Sequence, residues 1–374
     1  MLKPLKPFLI ALVGFVVMDF LMLAVINCSA VGLQMDQAAG NILPSKLDSI
    51  RKNHPKQINV LALGTSVTDM GFAPRAFEKE APLNINSFNM GLSGSRHDVL
   101  RDYLRYHIEN FGKPKLLIVE VTDVILGYDN YLTNLQRQTL ASKDGSYTWE
   151  VLRNPVLKFQ DKQDYFLTLF NPFLRYRSAL SPVSVMYKML GKGHKNNELS
   201  PSTKGQEALL QTETLKGWSP KTEISANMLT SSGIDHEVAL MRERHLSKIK
   251  QVDFSMLKYL LDYCSDNHLN VVLVEWPSHP RYMATLKQQQ IYPDYQKQLH
   301  YIAKQYNAPI VTLPVLSERK AAPLYTDGRH MSAKGAEYYS HLLAQKLFSR
   351  VAIRQALQPE QISALKDKKK ILSQ

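Results

Sequence analysis

Five short apolar runs, spaced along the chain and interleaved with helical periodicity, constrain its fold more than any other feature. They are "INVLALG" (58–64), "INSFNMG" (85–91), "PKLLIVEV" (114–121), "LNVVLVEWP" (269–277) and "APIVTLP" (308–314). Short apolar strands alternating with helices imply a parallel sheet covered on both faces. The expectation is an α/β fold, a three-layer α/β/α sandwich with a flavodoxin-like parallel sheet. "SRHDVLRDYLRYHIENFG" reads as a helix closed by Gly112 and Pro114. "VALMRERHLSKIKQVDFSMLKYLLDYCSDNH" reads as one long helix or two, and "SAKGAEYYSHLLAQKLFSRVA" as the last helix of the core. Between the third and fourth runs lies an insertion, about 127–235, rich in Asn, Gln, Ser, Thr and Lys, with aromatic clusters such as "DYFLTLFNPFLRYR". Its aromatics are expected to form a small core of their own rather than a sugar platform.

The first residues read as a membrane segment. "PFLIALVGFVVMDFLMLAVIN" offers enough apolar length to span about 30 Å of hydrocarbon as a helix. Lys3 and Lys6 precede it and no charge follows the segment until Asp36, which sets the amino terminus in the cytoplasm and the rest outside. A cleaved signal peptide would have a shorter, uncharged core, whereas this one carries Asp19. That aspartate is either a tolerated, protonated side chain or a polar contact with another membrane helix. The expected organisation is an anchor at 1–27, a juxtamembrane connector at 28–57 with a short helix through Ile42, Leu43, Leu47 and Ile50, and a domain at 58–350. A basic helix or tail follows at 351–374.

Charge and cysteine content narrow the chemistry. The net charge of +13 is spread widely, with local concentrations at "RERHLSKIK" and "KDKKK". No basic run is interleaved with stacking aromatics, so nucleic acid is a poor partner; a solvated surface, or contact with anionic lipid or polymer, accounts for the charge. Cys28 and Cys264 are the only cysteines, and their positions argue against a disulfide. No Cys/His set has metal-ligand spacing, and no cofactor is implied.

In a parallel α/β sheet, ligands bind outside the carboxyl ends of the strands where strand order reverses. With the order 2-1-3-4-5, the loops after the first three strands are neighbours. The first ends on Gly64-Thr65-Ser66, the second delivers "NMGLSGSR" (89–96), and the third delivers "EVTD" (120–123). After the fifth, "YTDGRHMSAKGAEYY" brings Asp327 and His330 to the same edge ahead of a helix. That set is what acyl transfer requires. A serine hydroxyl needs an imidazole to take its proton, the imidazole needs a carboxylate, and the oxyanion needs preorganised N–H donors. Ser66, at a helix start, can offer its own backbone N–H, and Gly94 a second.

These blocks resemble those of the SGNH (GDSL) hydrolases. "LGTSV" is similar to the G-D-S-L block, which puts Ser66 in the nucleophile position. "NMGLSG" is similar to the second block, with Gly94 as oxyanion donor, and "DGRHMSAKG" to the final D-x-x-H, with Asp327 and His330 completing a triad. The third block departs: the family's Gly-x-Asn-Asp is replaced by Glu120-Val121-Thr122-Asp123, so the asparagine donor is missing and Thr122 is the substitute. Asn89 and His279 (in "EWPSHPRY") are candidate substrate contacts. His97 and Asp98 read as capping and surface groups, and Glu120 carries no assigned role. The anchor and "GTSVTDMGFAP" resemble the membrane-anchored SGNH proteins of bacterial envelopes, several of which act beside a multi-span membrane O-acyltransferase on surface polymers.

The resemblance implies a membrane-anchored, extracytoplasmic acyl hydrolase or O-acyltransferase acting on an acylated polysaccharide or other surface polymer. A catalytically quiet binding partner of a membrane O-acyltransferase, and an envelope lipase or esterase, are the competing expectations.

Overall fold

A computed structural model of the chain describes residues 41–52, 58–81, 84–121, 131–171, 216–222, 231–244 and 252–357, with short pieces at 13–18, 21, 24, 175–176, 224, 228 and 230. The chain divides into two compact units. One comprises residues 1–47 and 130–210, the other 48–129 and 211–374.

The second unit is built on five parallel strands: β1 (Val60–Gly64), β2 (Ser87–Gly91), β3 (Leu116–Glu120), β4 (Val271–Glu275) and β5 (Ile310–Thr312). Their order is β2-β1-β3-β4-β5, the doubly wound order expected from the alternating pattern. Registers such as Gly64 opposite Gly91 and Leu63 opposite Val119 bring the carboxyl ends of β1, β2 and β3 level with one another. β1, β2 and β3 are buried along their whole length, which is why they read as continuous apolar runs.

Helices cover both faces. On one side, Val60, Ala62, Ile118, Val272 and Val274 join a single core with Phe72, Phe77, Tyr339, Leu343 and Leu347. Phe72 directly follows α1 (Ser66–Gly71), Phe77 lies in α2 (Pro74–Lys79), and the others lie in the helix after the fifth strand, Ala333–Phe348. On the other side α3 (His97–Phe111) packs against α4 (Ser255–Asp266), burying Leu100, Tyr103, Leu104, Leu257 and Leu261. Two further helices follow β4, α5 (Pro280–Lys287) and α6 (Tyr292–Gln305); the helix Ala333–Phe348 is α7. Gly112 ends α3 at φ 95°, the stop expected from sequence. The stretch expected as one long helix or two holds Ser231–Arg244 and α4, with 245–251 outside the described residues.

The first unit contains helices Tyr131–Lys143, Ser146–Arg153 and Phe159–Phe170. Val151, Leu157 and Tyr165 form a small core of their own, with Leu169 packed against it, while Phe159 and Phe166 stay exposed. The expected connector helix spans Leu43–Lys52 and buries Leu43, Leu47 and Ile50. Most of the apolar amino-terminal segment, Asp19 included, lies outside the described residues. Its described part, 13–18, is helical with Val13, Phe15, Val17 and Met18 exposed. Among the described residues no helix is long and apolar enough to cross a membrane. The carboxyl-terminal tail is described only to Leu357, in the helix Val351–Leu357.

Candidate active site

β1 delivers Ser66. The strand ends at Gly64, Thr65 caps the next helix with its hydroxyl accepting from Val67 N–H at 3.3 Å, and Ser66 opens α1. As the first residue of that helix, Ser66 has a backbone N–H with no intrahelical acceptor.

Ser66 Oγ lies 2.9 Å from His330 Nε2, although the two residues are 264 apart in sequence. The other ring nitrogen, Nδ1, is 2.7 Å from Asp327 Oδ2. Asp327 Oδ1 accepts from the backbone N–H groups of Arg329 and His330, at 2.7 and 2.8 Å. Burial alone would raise the Asp327 pKa. The His330 charge, its ring hydrogen bond and the two backbone donors outweigh that and hold the carboxyl well below the usual carboxylate range. An ionised Asp327 keeps the His330 proton on Nδ1, which leaves Nε2 free to accept from the serine hydroxyl.

The turn carrying these two groups is closed on itself. Tyr325 bridges Met331, Thr326 N–H donates to His330 O at 2.9 Å, and Ser332 caps α7 by accepting from Gly335 N–H. The loop after β4 ties in as well. His279 N–H donates to Gly328 O at 3.1 Å, and Tyr325 Oη donates to Pro277 O at 3.1 Å.

The nucleophile side rests on Glu120, the last residue of β3. This fully buried carboxylate accepts from Thr65 N–H (2.7 Å), Thr65 Oγ1 (2.7 Å), Thr68 N–H (3.0 Å) and Thr68 Oγ1 (2.6 Å). Trp276 Nε1 donates to Thr68 Oγ1 at 3.2 Å, which links the end of β4 to the same cluster. Gly64 makes room for it: a Cβ there would stand 2.3 Å from Glu120 Oε2 and 2.1 Å from Thr68 Oγ1. The two threonines flank Ser66, so one carboxylate fixes the backbone on both sides of it. Sequence reasoning left Glu120 without a role. The signal was there: an acid closing a strand buried on both faces has to be paired.

Gly94 sits in the turn after β2 at φ 67°, a left-handed conformation that suits glycine. The turn is tied to β1 by Leu92 N–H donating to Gly64 O at 2.8 Å, so Gly94 lies two residues beyond a direct contact with the nucleophile strand. Thr122 lies outside the described residues.

Both candidate substrate contacts need correction. Asn89 is fully buried within β2. Its Nδ2 donates to the carbonyls of Thr68, Asp69 and Phe72, and its Oδ1 accepts from Gly91 N–H at 2.8 Å. It brackets α1 from below, adding a donor to carbonyls at the end of this short helix and supplying the side-chain donor of Phe72 O. His279 is also fully buried. Its Nδ1 accepts from Arg281 N–H at the start of α5 and its ring packs edge-on against Tyr325 at 5.9 Å. Desolvation lowers its pKa, and it shapes the histidine turn instead of facing a substrate.

His97 and Asp98, expected at the surface, are buried. His97 Nε2 donates to Glu120 O at 3.0 Å, burial lowering its pKa, and Asp98 pairs with the buried Arg96 at 3.2 Å. The stretch Lys216–Ser219, read as part of the insertion, belongs to the sheet unit. Lys216 O accepts from Asn89 N–H, Trp218 Nε1 donates to Met70 O at 3.0 Å, and Ser219 N–H donates to Asp69 O. Lys221 O accepts from Ala333 N–H at 2.7 Å. One short segment therefore touches both the nucleophile helix and the helix after His330.

The Cys264 thiol is buried and pushed up to about 12, away from thiolate reactivity. Among the described residues no cluster of His, Cys, Asp or Glu could hold a metal ion. No protein-family model matches the chain, and no curated protein matches it.

Proposed function

We propose that the chain is a membrane-anchored, extracytoplasmic serine acyl hydrolase or O-acyltransferase of SGNH type, acting on an acylated envelope polysaccharide. The observation that carries this reading is the continuous path from Ser66 Oγ through the His330 ring to Asp327, with both contacts below 3 Å.

In this reading His330 Nε2 takes the Ser66 hydroxyl proton as Oγ attacks the carbonyl carbon of an ester. The tetrahedral oxyanion is met by the backbone N–H groups of Ser66 and Gly94. The imidazolium that forms is stabilised by ionised Asp327, and His330 then returns the proton to the leaving alcohol. Acyl-Ser66 remains. Water or a sugar hydroxyl attacks it, with His330 again the base, and the product decides between hydrolase and transferase. Glu120 supports the first step at a distance, since it fixes the peptide units around Ser66 through Thr65 and Thr68.

The amino-terminal apolar segment, with lysines only on its leading side, supports the anchor and the outward orientation. A partner O-acyltransferase in the same membrane fits both the anchor and the transferase reading.

The test is active-site labelling of the full chain in detergent with an uncharged fluorophosphonate. Stoichiometric modification of Ser66 is expected, lost in Ser66→Ala. A folded wild-type protein that stays unlabelled overturns the proposal.

A further inference from the structure

The turn that carries Asp327 and His330 holds another charged residue, which the acyl-transfer steps leave unused. Arg329 is only 5% exposed. Its backbone N–H donates to Asp327, yet among the described residues no hydrogen bond or ion pair reaches its guanidinium. Two other arginines of this unit show the contrast. Arg96 pairs with Asp98, and Arg281 with Asp235 and Glu318. Asp327, the nearest carboxylate in sequence, has both oxygens committed to His330 and the turn backbone.

A guanidinium keeps its charge at every pH at which proteins fold. Its nitrogens keep a slight contact with solvent, and enclosing the rest of the side chain without a counterion opposes folding, because most of its hydration is lost and not replaced. The backbone that carries it is fixed by the Tyr325–Met331 bridge and by His279 N–H on Gly328 O. Next to it in the chain stands His330, whose Nε2 is in contact with Ser66 Oγ. The turn that carries His330 therefore keeps a largely enclosed, unpaired cation, and is short of one anion.

We infer that Arg329 recognises an anionic group on the substrate, a carboxylate or a phosphate carried close to the ester that Ser66 attacks. The inference deepens the proposed function and rests on it for the position of the ester. The planar fork of arginine matches two oxygens of either group in a bidentate pair, and the chain's net charge of +13 favours approach of a polyanion. The substrate class is then an acylated polymer of acidic sugars or of sugar or polyol phosphates, in preference to a neutral glycan or a neutral lipid ester.

The experiment follows the rate at which an uncharged fluorophosphonate labels Ser66 in the full chain, alone and with glucuronate, glycerol 3-phosphate or glucose. One of the anions should slow wild-type labelling at least fivefold while glucose leaves it unchanged, and which anion does so separates carboxylate from phosphate. Arg329→Gln should need at least tenfold more anion for the same protection, Arg329→Lys an intermediate amount, and wild-type protection should weaken as salt rises. Equal protection in wild type and Arg329→Gln, or none from either anion, overturns the inference. Where Arg329→Gln fails to fold, the lysine variant and the salt series decide. Calorimetric titration with the same anions separates the two readings. Arg329-dependent binding without Ser66 labelling sinks acyl transfer and keeps the anion site, whereas normal labelling without anion binding does the reverse.

Discussion

Asp327 and His330 meet across three residues of one turn, whereas Ser66 is held by a glutamate more than fifty residues further along the chain. The histidine corner is local: its carboxylate, imidazole, closing bridge and helix cap all fall between Tyr325 and Gly335. The serine corner is assembled from four distant pieces, namely Glu120 of β3, Asn89 of β2, Trp276 beyond β4 and Trp218. In the proposed reaction the proton crosses the join between a corner whose own contacts are local and one that exists only once the sheet has formed.

Breaking the local corner should cost the most activity for the least stability. Asp327→Asn keeps an oxygen for the two backbone donors but removes the charge facing His330. A fall in kcat of about 10³–10⁴ is expected in single-turnover acylation, from the wrong imidazole tautomer. The same variant tests the pH argument. A carboxyl held below its unfolded value contributes stability that is present above about pH 4 and lost as pH falls toward the folded value. Urea midpoints between pH 5 and pH 3 should therefore decline less steeply in Asp327→Asn than in wild type.

Breaking the distant corner should cost activity and stability together. Glu120→Ala leaves buried N–H groups of Thr65 and Thr68 unpaired, at roughly 1–3 kcal/mol each in urea unfolding, with acylation slowed alongside. Glu120→Gln keeps one oxygen that accepts and replaces the other with an NH2 that only donates, so it should recover part of both losses. A stable, fully active Glu120→Ala would erase the distinction between the corners.

Asn89→Ala probes the same corner from beneath. It takes the side-chain donor from Phe72 O and the side-chain acceptor from Gly91 N–H, while Thr68 O keeps Phe72 N–H and Asp69 O keeps Ser219 N–H, for an expected loss of about 1–3 kcal/mol in urea unfolding. The smallest effect belongs to Trp276→Phe. It removes one donor from Thr68 and keeps the ring packing near Phe72, so about 1 kcal/mol is expected.

The same division governs what could be read from the residues alone. The strands were legible because burial on both faces leaves unbroken apolar runs, and the D-x-x-H turn because its contacts span three residues. Glu120 was not, since its partners depend on β1 and β3 lying side by side in a given register. Asn89 was misassigned for a related reason. Its place near a strand end suggested a ligand, but the same place also lies under a six-residue helix whose carbonyls need donors. The Lys216–Ser219 strap left no periodic trace, because it acts through backbone groups, one tryptophan and the Lys216 ammonium paired with Glu78.

The register of β1 on β3, Leu63 against Val119, has a consequence for the life of the chain. Sliding either strand by two residues would carry the Glu120 oxygens about 6–7 Å along the sheet, beyond reach of both threonines. The reactive hydroxyl would then lose its brace. Under the proposed function, a nascent or partly unfolded polypeptide would expose an ordinary, inert serine, and acyl transfer would begin only in molecules whose central strands had already paired correctly.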